Sequence, residues 1–273
     1  MLLEGKHAVA EALRAGVPLT SVSIAAGAKR EPLLDEIVRL SAAAGVPVDR
    51  LHRRELDCQS TRGAHQGVIA TAAPFRFTPL HEALHPVATA EQALVIVLDH
   101  VTDPGNLGAI VRTAEVVGAA CVLVASRRSA AVTPAAWKAS AGALAHVPVV
   151  CEVNLARALE QLKDAGFWVA GAFEHAEENV WEAPLTGRIA LVVGSEGSGL
   201  SRLTRERCDF LVRLPQAGQV GSLNVAQATT AVAYEWLRRS WADAAGAGAS
   251  AGAGGAANAD SAGTAGTDSA GHQ

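Results

Sequence analysis

The chain has 273 residues, 49% of them hydrophobic, and a formal net charge of −4. That is enough apolar material for one large domain or two smaller ones, and no apolar run reaches the roughly 18 residues of a membrane span. The start, MLLEGKHAVAEAL, lacks a basic-then-apolar leader with a cleavage site, so a cytoplasmic protein is expected. Cys58, Cys121, Cys151 and Cys208 are far apart, with no C-x-x-C pair and no His at ligand spacing, which argues for reduced structural thiols and against a metal site. The negative charge lies mostly in the tail: residues 243 to 273 hold Asp243, Asp260 and Asp268 and no Lys or Arg, so the body is close to neutral.

In chain order, residues 1 to 73 read as a small α/β unit. Glu4 to Ala15 fits a helix closed by Gly16, Val22 to Ala25 a strand, Leu33 to Ala44 a helix closed by Gly45, and Val68 to Ala72 a strand. Within this unit Arg50, Arg53, Arg54, Arg62 and (just beyond it) Arg76 face only Glu55 and Asp57, either a basic patch or an ordinary solvated run. Residues 74 to 92, with Pro74, Pro79 and Pro86, read as a linker carrying a short helical piece.

From residue 93 to 242 the pattern changes. ALVIVLDH, ACVLVAS, GFWVAGA, RIALVVGSE and DFLVRLP are short, nearly continuous apolar runs between helix-compatible stretches, as expected of parallel strands covered on both faces. Leu223 to about Trp241 reads as a final helix with Val225, Ala228, Val232, Ala233, Trp236 and Leu237 on one stripe. The Ala/Gly/Ser-rich remainder, 243 to 273, is expected to be disordered.

Ligands of open parallel sheets bind beyond the carboxyl ends of the strands, so the loops there carry the interest. After the first strand comes DPGNLGAIVRTA, in which Asn106 reads as the N-cap of a helix from Leu107 and Arg112 lies opposite the apolar stripe; simple capping and an Arg112–Glu115 pair are the bland alternatives. A later strand ends in VVGSEGSGL, three glycines around Glu196 whose spacing fits neither a dinucleotide fingerprint nor a P-loop. The last loop, LPQAGQVGSLNVA, offers Ser222 as a cap and places Asn224 in the first helical turn, where Asn is a poor helix former.

Together and in this order, DPGNLGAIVRTA, VVGSEGSGL and LPQAGQVGSLNVAQATTAVAYE resemble the three motifs of the SpoU (TrmH) branch of the SPOUT RNA methyltransferases. GKHAVAEAL and HQGVIA extend the resemblance to the L30e-like RNA-binding domain of its ribosomal-RNA guanosine-2′-O-methyltransferases. Gln216 and Ala226 depart from the residues usual there, which touches the subfamily more than the reaction.

The resemblance implies a SPOUT parallel sheet closed by a trefoil knot, homodimers, and S-adenosylmethionine held by backbone groups of Gly194, Leu214 and Leu223. It implies Arg112 as the residue acting on a ribose 2′-hydroxyl. A guanidinium stays protonated, so it would stabilise the forming alkoxide rather than remove the proton. Asn106, Asn224, Ser222 and Glu196 would position it and the ribose. Arg62, His65 and Gln66, with the Arg50–Arg54 cluster, are candidate RNA contacts, and a structural role for His65 is an equal alternative. The substrate implied is 23S ribosomal RNA; a tRNA guanosine, a resistance methylation of rRNA, and a non-catalytic assembly factor are the rivals. A nicotinamide enzyme lacks its fingerprint.

Overall fold

A computed structural model describes residues 2–60, 65–219 and 222–253, the last eleven by backbone alone. The described residues form two sheets. The first has the order β1-β4-β2-β3, built from Leu2–Glu4 (β1), Leu19–Ala25 (β2), Val48–Leu51 (β3) and Val68–Ala72 (β4). Lys6–Arg14 (α1), Pro32–Ala43 (α2) and Arg53–Gln59 (α3) complete this unit.

Several of these elements differ from the sequence expectation. The helix expected from Glu4 begins at Lys6, because Gly5 turns the chain at φ 100° and leaves Leu2–Glu4 free to pair antiparallel with β4. The edge strand β3, sequence VDRL, exposes Asp49 and Arg50, so its apolar signal is too weak to read. The arginine run hides α3, whose start is marked by His52 N–H donating to Glu55 at 2.7 Å.

The segment read as a linker packs against neighbouring elements. Phe75 meets Trp137 edge-on, Thr78 N–H donates to Val149 O, and the segment continues into Leu80–Leu84 (α4) and a 3-10 turn. The second sheet has the order β10-β8-β9-β5-β6-β7, with every pair parallel. Its strands are Ala93–Asp99 (β5), Cys121–Ala125 (β6), Val149–Glu152 (β7), Trp168–Ala172 (β8), Arg188–Gly194 (β9) and Phe210–Val212 (β10). All seven residues of β5 are buried, as continuous apolar runs require when helices cover both faces. Edge strand β7 is only half-buried, which is why its four residues carry little signal.

The helices of this sheet are Pro104–Val116 (α5), Pro134–Ser140 (α6), Leu155–Asp164 (α7), Arg202–Glu206 (α8) and Val225–Ala253 (α9). Helix α9 runs past Trp241 into the segment expected to be disordered. Alanine has the highest helix propensity, and extending a formed helix avoids the cost of nucleation, so the Ala-rich stretch continues the turn. The α9 stripe is consumed within the chain: Val232, Ala233 and Trp236 are buried, Trp236 Nε1–H donates to Gly187 O, and the Thr113 and Thr230 hydroxyls bond at 2.7 Å. Buried Glu235 is bonded by Arg238 and Arg239, and their guanidinium groups hold its carboxyl down at about 2.

Helices α5 and α6 cross on Gly108. A Cβ there would lie 2.2 Å from Ala136 O and 2.9 Å from Ser140 N, both backbone atoms. Gly108→Ala is therefore expected to destabilise the chain by about 2 kcal/mol, the overpacking cost exceeding the gain in helix propensity. A lowered midpoint in urea unfolding checks this; an unchanged or raised one counts against a tight crossing.

Burial pushes the thiols of Cys121 and Cys208 up to about 12, which keeps them protonated. Among the described residues no cluster of three or more His, Cys, Asp or Glu is placed to hold a metal ion, and no helix is long and apolar enough to cross a membrane.

Candidate active site

Three loops at the carboxyl end of the second sheet meet at one point. Asn106 comes from the start of α5, Glu196 from the glycine loop after β9, and Asn224 from the entry to α9. The Asn224 amide donates one N–H to Asn106 Oδ1 at 2.8 Å and the other to Glu196 Oε1 at 2.7 Å. Asn106 Nδ2 donates to the same Glu196 oxygen at 3.1 Å.

Local structure explains each placement. Pro104 and the Asp103 side chain, which accepts Asn106 N–H at 2.7 Å, start α5. Asn106 is thus in the first turn and is not the N-cap, because Asp103 caps three residues earlier than expected. Asn224 is the cap of α9: its Oδ1 accepts Ala226 N–H at 2.9 Å and its carbonyl accepts Ala228 N–H. That removes the puzzle of an Asn inside a helix, and it leaves Ser222 outside the capping position expected for it. Asn224 is saturated, with both amide hydrogens and its oxygen bonded within the chain. Among the described residues, Glu196 Oε2 and the second Asn106 Nδ2–H make no hydrogen bond.

Gly194 shows why the second loop needs glycines. A Cβ on it would sit 2.1 Å from the Gly199 carbonyl carbon and 2.4 Å from Leu200 N. The close approach is between the loop and its own return, closed by Ser195 and Gly199 exchanging backbone bonds. Gly197 and Gly199 turn at φ 91° and 62°.

Beside this junction is a cavity of about 500 Å³. Gly194, Leu214 and Leu223 line it together with Glu196 and Ser222, so five of the residues picked from sequence share one pocket. Val193, Val212, Val225 and Val232 supply an apolar wall. Arg112 is exposed on α5, is not part of the cavity lining or of the Asn–Glu–Asn junction, and has no ion pair or side-chain hydrogen bond among the described residues. The expected alternative pair with Glu115 is not formed.

The model of the SpoU rRNA Methylase family matches residues 93–234. The chain belongs to this family. A second model, described as RNA 2'-O ribose methyltransferase substrate binding, matches residues 2–78. The chain is 44% identical over 214 residues to the 23S rRNA (guanosine-2'-O-)-methyltransferase RlmB of Pseudomonas putida, covering 77% of this chain and 85% of that protein. It is 41% identical to the protein of the same name from Pseudomonas syringae pv. tomato, covering 86% and 94%. Among solved structures, the SpoU methyltransferase AviRb from Streptomyces viridochromogenes in complex with AdoMet superposes with TM-score 0.64 at 26% identity, covering 88% and 89% of the two chains.

This SpoU chain also uses residues that motif reading missed. Asp99 ends β5 fully buried, and its carboxylate accepts Ser201 N–H at 2.6 Å and bonds His100 Nδ1 at 2.5 Å, tying the glycine loop to the root of α5. An acid closing a purely apolar strand was the available signal. Phe173, Glu174 and His175, from the loop after β8, form another wall of the cavity, with the Arg205 guanidinium 5.1 Å over the Phe173 ring. No motif spans that loop, so only the fold reveals it.

In the first sheet, His65 is 3% exposed, held between Asp57 at 2.8 Å and Gly67 N–H at 3.0 Å. These bonds hold the turn before β4, and the neighbouring Gln66 is exposed. Arg62 lies outside the described residues, and Arg50, Arg53 and Arg54 are exposed.

Proposed function

We propose that this chain methylates the 2′-hydroxyl of a guanosine ribose in 23S ribosomal RNA with S-adenosylmethionine as donor. The observation that carries the reading is the junction of Asn106, Glu196 and Asn224 at the edge of a cavity sized for a nucleoside ligand. Its fit to the donor rests on apolar valine walls for a purine and on Gly194, Leu214 and Leu223, which line the same cavity. Bound there, S-adenosylmethionine supplies a methyl group already activated by the sulfonium charge.

The side chains divide the remaining work. Arg112, a permanent cation with no partner among the described residues, stabilises negative charge growing on the ribose oxygen and grips a neighbouring phosphate. Glu196 offers its Oε2 to the nucleotide, Asn106 its second Nδ2–H, and Ser222 a hydroxyl from the cavity wall. Asn224, fully bonded, is a positioning residue that holds the other two. No base is assigned; the proton leaves through the RNA phosphate or solvent.

The family's knot and homodimer belong to the same proposal. Asn224 touching both the first and second loops supports a final segment threaded between them. Exposed Val116, Tyr234 and Trp241 on α5 and α9, and neighbouring Trp181, are what a partner copy would cover. The same reading divides the chain into a substrate-binding unit to residue 73, a linker to 92 and a catalytic domain to 242, at work in the cytoplasm.

Mapping 2′-O-methylated riboses by mass spectrometry in rRNA from cells with and without the gene tests the reading. One methylguanosine should vanish from 23S rRNA in its absence, and in vitro methylation should weaken steeply with salt. An unchanged rRNA map, or a loss from tRNA instead, would overturn it.

A further inference from the structure

We infer that the first sheet carries a nucleotide site of its own: the cleft bounded by Lys6, Lys29, Arg53 and Gln66 holds one single-stranded ribonucleotide of the substrate, its phosphate against the cations and its base edge against the Gln66 amide. This rests on the proposal that the substrate is RNA, and it specifies how that RNA is selected.

The cleft has a volume of about 410 Å³ and lies where the loop after β2, the starts of α1 and α3, and the turn before β4 come together. Three cations line it against a single carboxylate, Glu31, which forms an ion pair with Lys6. Lys29 and Arg53 are exposed and make no ion pair among the described residues, so their charge is unspent. Such cations suit a phosphodiester. Helix α1 adds backbone N–H groups at its start, because Gly5 provides no side-chain cap.

Gln66 is held at the cleft by its neighbours. It adopts φ 50°, a conformation uncommon outside glycine, between buried His65 and Gly67 at φ 80°. The His65 ring, accepting Gly67 N–H on Nδ1 and donating from Nε2 to Asp57, locks this turn and directs the exposed Gln66 side chain outward. An amide offers a donor and an acceptor side by side, the pattern that reads a base edge. The volume is large enough for one nucleotide, and unpaired bases are those whose edges can be read in RNA.

The experiment compares wild type with Lys29→Glu, Arg53→Glu, Gln66→Ala and a same-charge control, Arg39→Glu, which lies on α2 away from the cleft. The full chain is assayed for methylation of 23S rRNA transcribed in vitro, for affinity to that transcript across salt, and for binding of S-adenosylmethionine as a check of folding. Lys29→Glu and Arg53→Glu should each raise the transcript KM about tenfold at unchanged kcat, and flatten the log–log salt slope by about one. Gln66→Ala should raise KM without changing the slope, and Arg39→Glu should change neither. Cleft variants that match Arg39→Glu while the wild type methylates the transcript would overturn the cleft alone. A wild-type chain that binds S-adenosylmethionine yet leaves the transcript unmethylated and unbound would overturn the rRNA proposal, and the cleft with it.

Discussion

Arg112→Ala is expected to reduce single-turnover methylation by at least about 100-fold to 1,000-fold, the usual cost of removing a group aimed at developing transition-state charge, while S-adenosylmethionine affinity stays within about twofold. The separation follows from position. Arg112 is exposed on α5, and the cavity that includes Gly194, Leu214 and Leu223 is built without it. Its side chain is bonded to nothing among the described residues, so removing it should leave the fold intact. Arg112→Lys should recover little, since a point ammonium lacks the planar fork that can span an alkoxide and a phosphate together. Rapid-quench methylation alongside calorimetric titration of the cofactor decides the matter. Wild-type turnover in Arg112→Ala would remove this residue from the mechanism.

Gly194→Ala should have the opposite signature, losing cofactor binding as well as turnover. A methyl group at that Cα occupies space held by the Gly199 carbonyl and Leu200 N, both backbone atoms with no rotamer to change. The loop must open, which breaks the paired bonds between Ser195 and Gly199 and moves Glu196 away from Asn106 and Asn224. Leu200 and Ser201 move as well, and with them the bond from Ser201 N–H to buried Asp99. Affinity for S-adenosylmethionine should fall by about 100-fold or more, equivalent to about 3 kcal/mol, with the far-UV circular dichroism unchanged. A titration showing wild-type affinity would mean that the loop tolerates a wider return and that its closure does not shape the cavity.

The amino-acid sequence by itself determined the elements whose signal is local. The seven buried residues of β5, the apolar run of β9 and the exact repeat of expectation in β4, Val68–Ala72, are legible because an element buried on its faces must be apolar along its length. Three motifs in order pointed to the reaction, and Gly194, Leu214, Leu223, Glu196 and Ser222 do line one cavity. Edge strands β1, β3 and β7 were not legible, because an edge strand has little buried area to impose a pattern. Only the tertiary structure decided which residues cap: Asp103 and Asn224 take the helix ends, and Asn106 sits in the first turn of α5 bonded to Glu196 and Asn224. It also decided that His65 is buried, that the α9 stripe faces its own chain, and that Asp99 binds the glycine loop. The physical reason is common to all of these. The hydrogen-bond partners of these side chains come from segments as far as 118 residues away, and no periodicity along the chain records which donor another loop will bring.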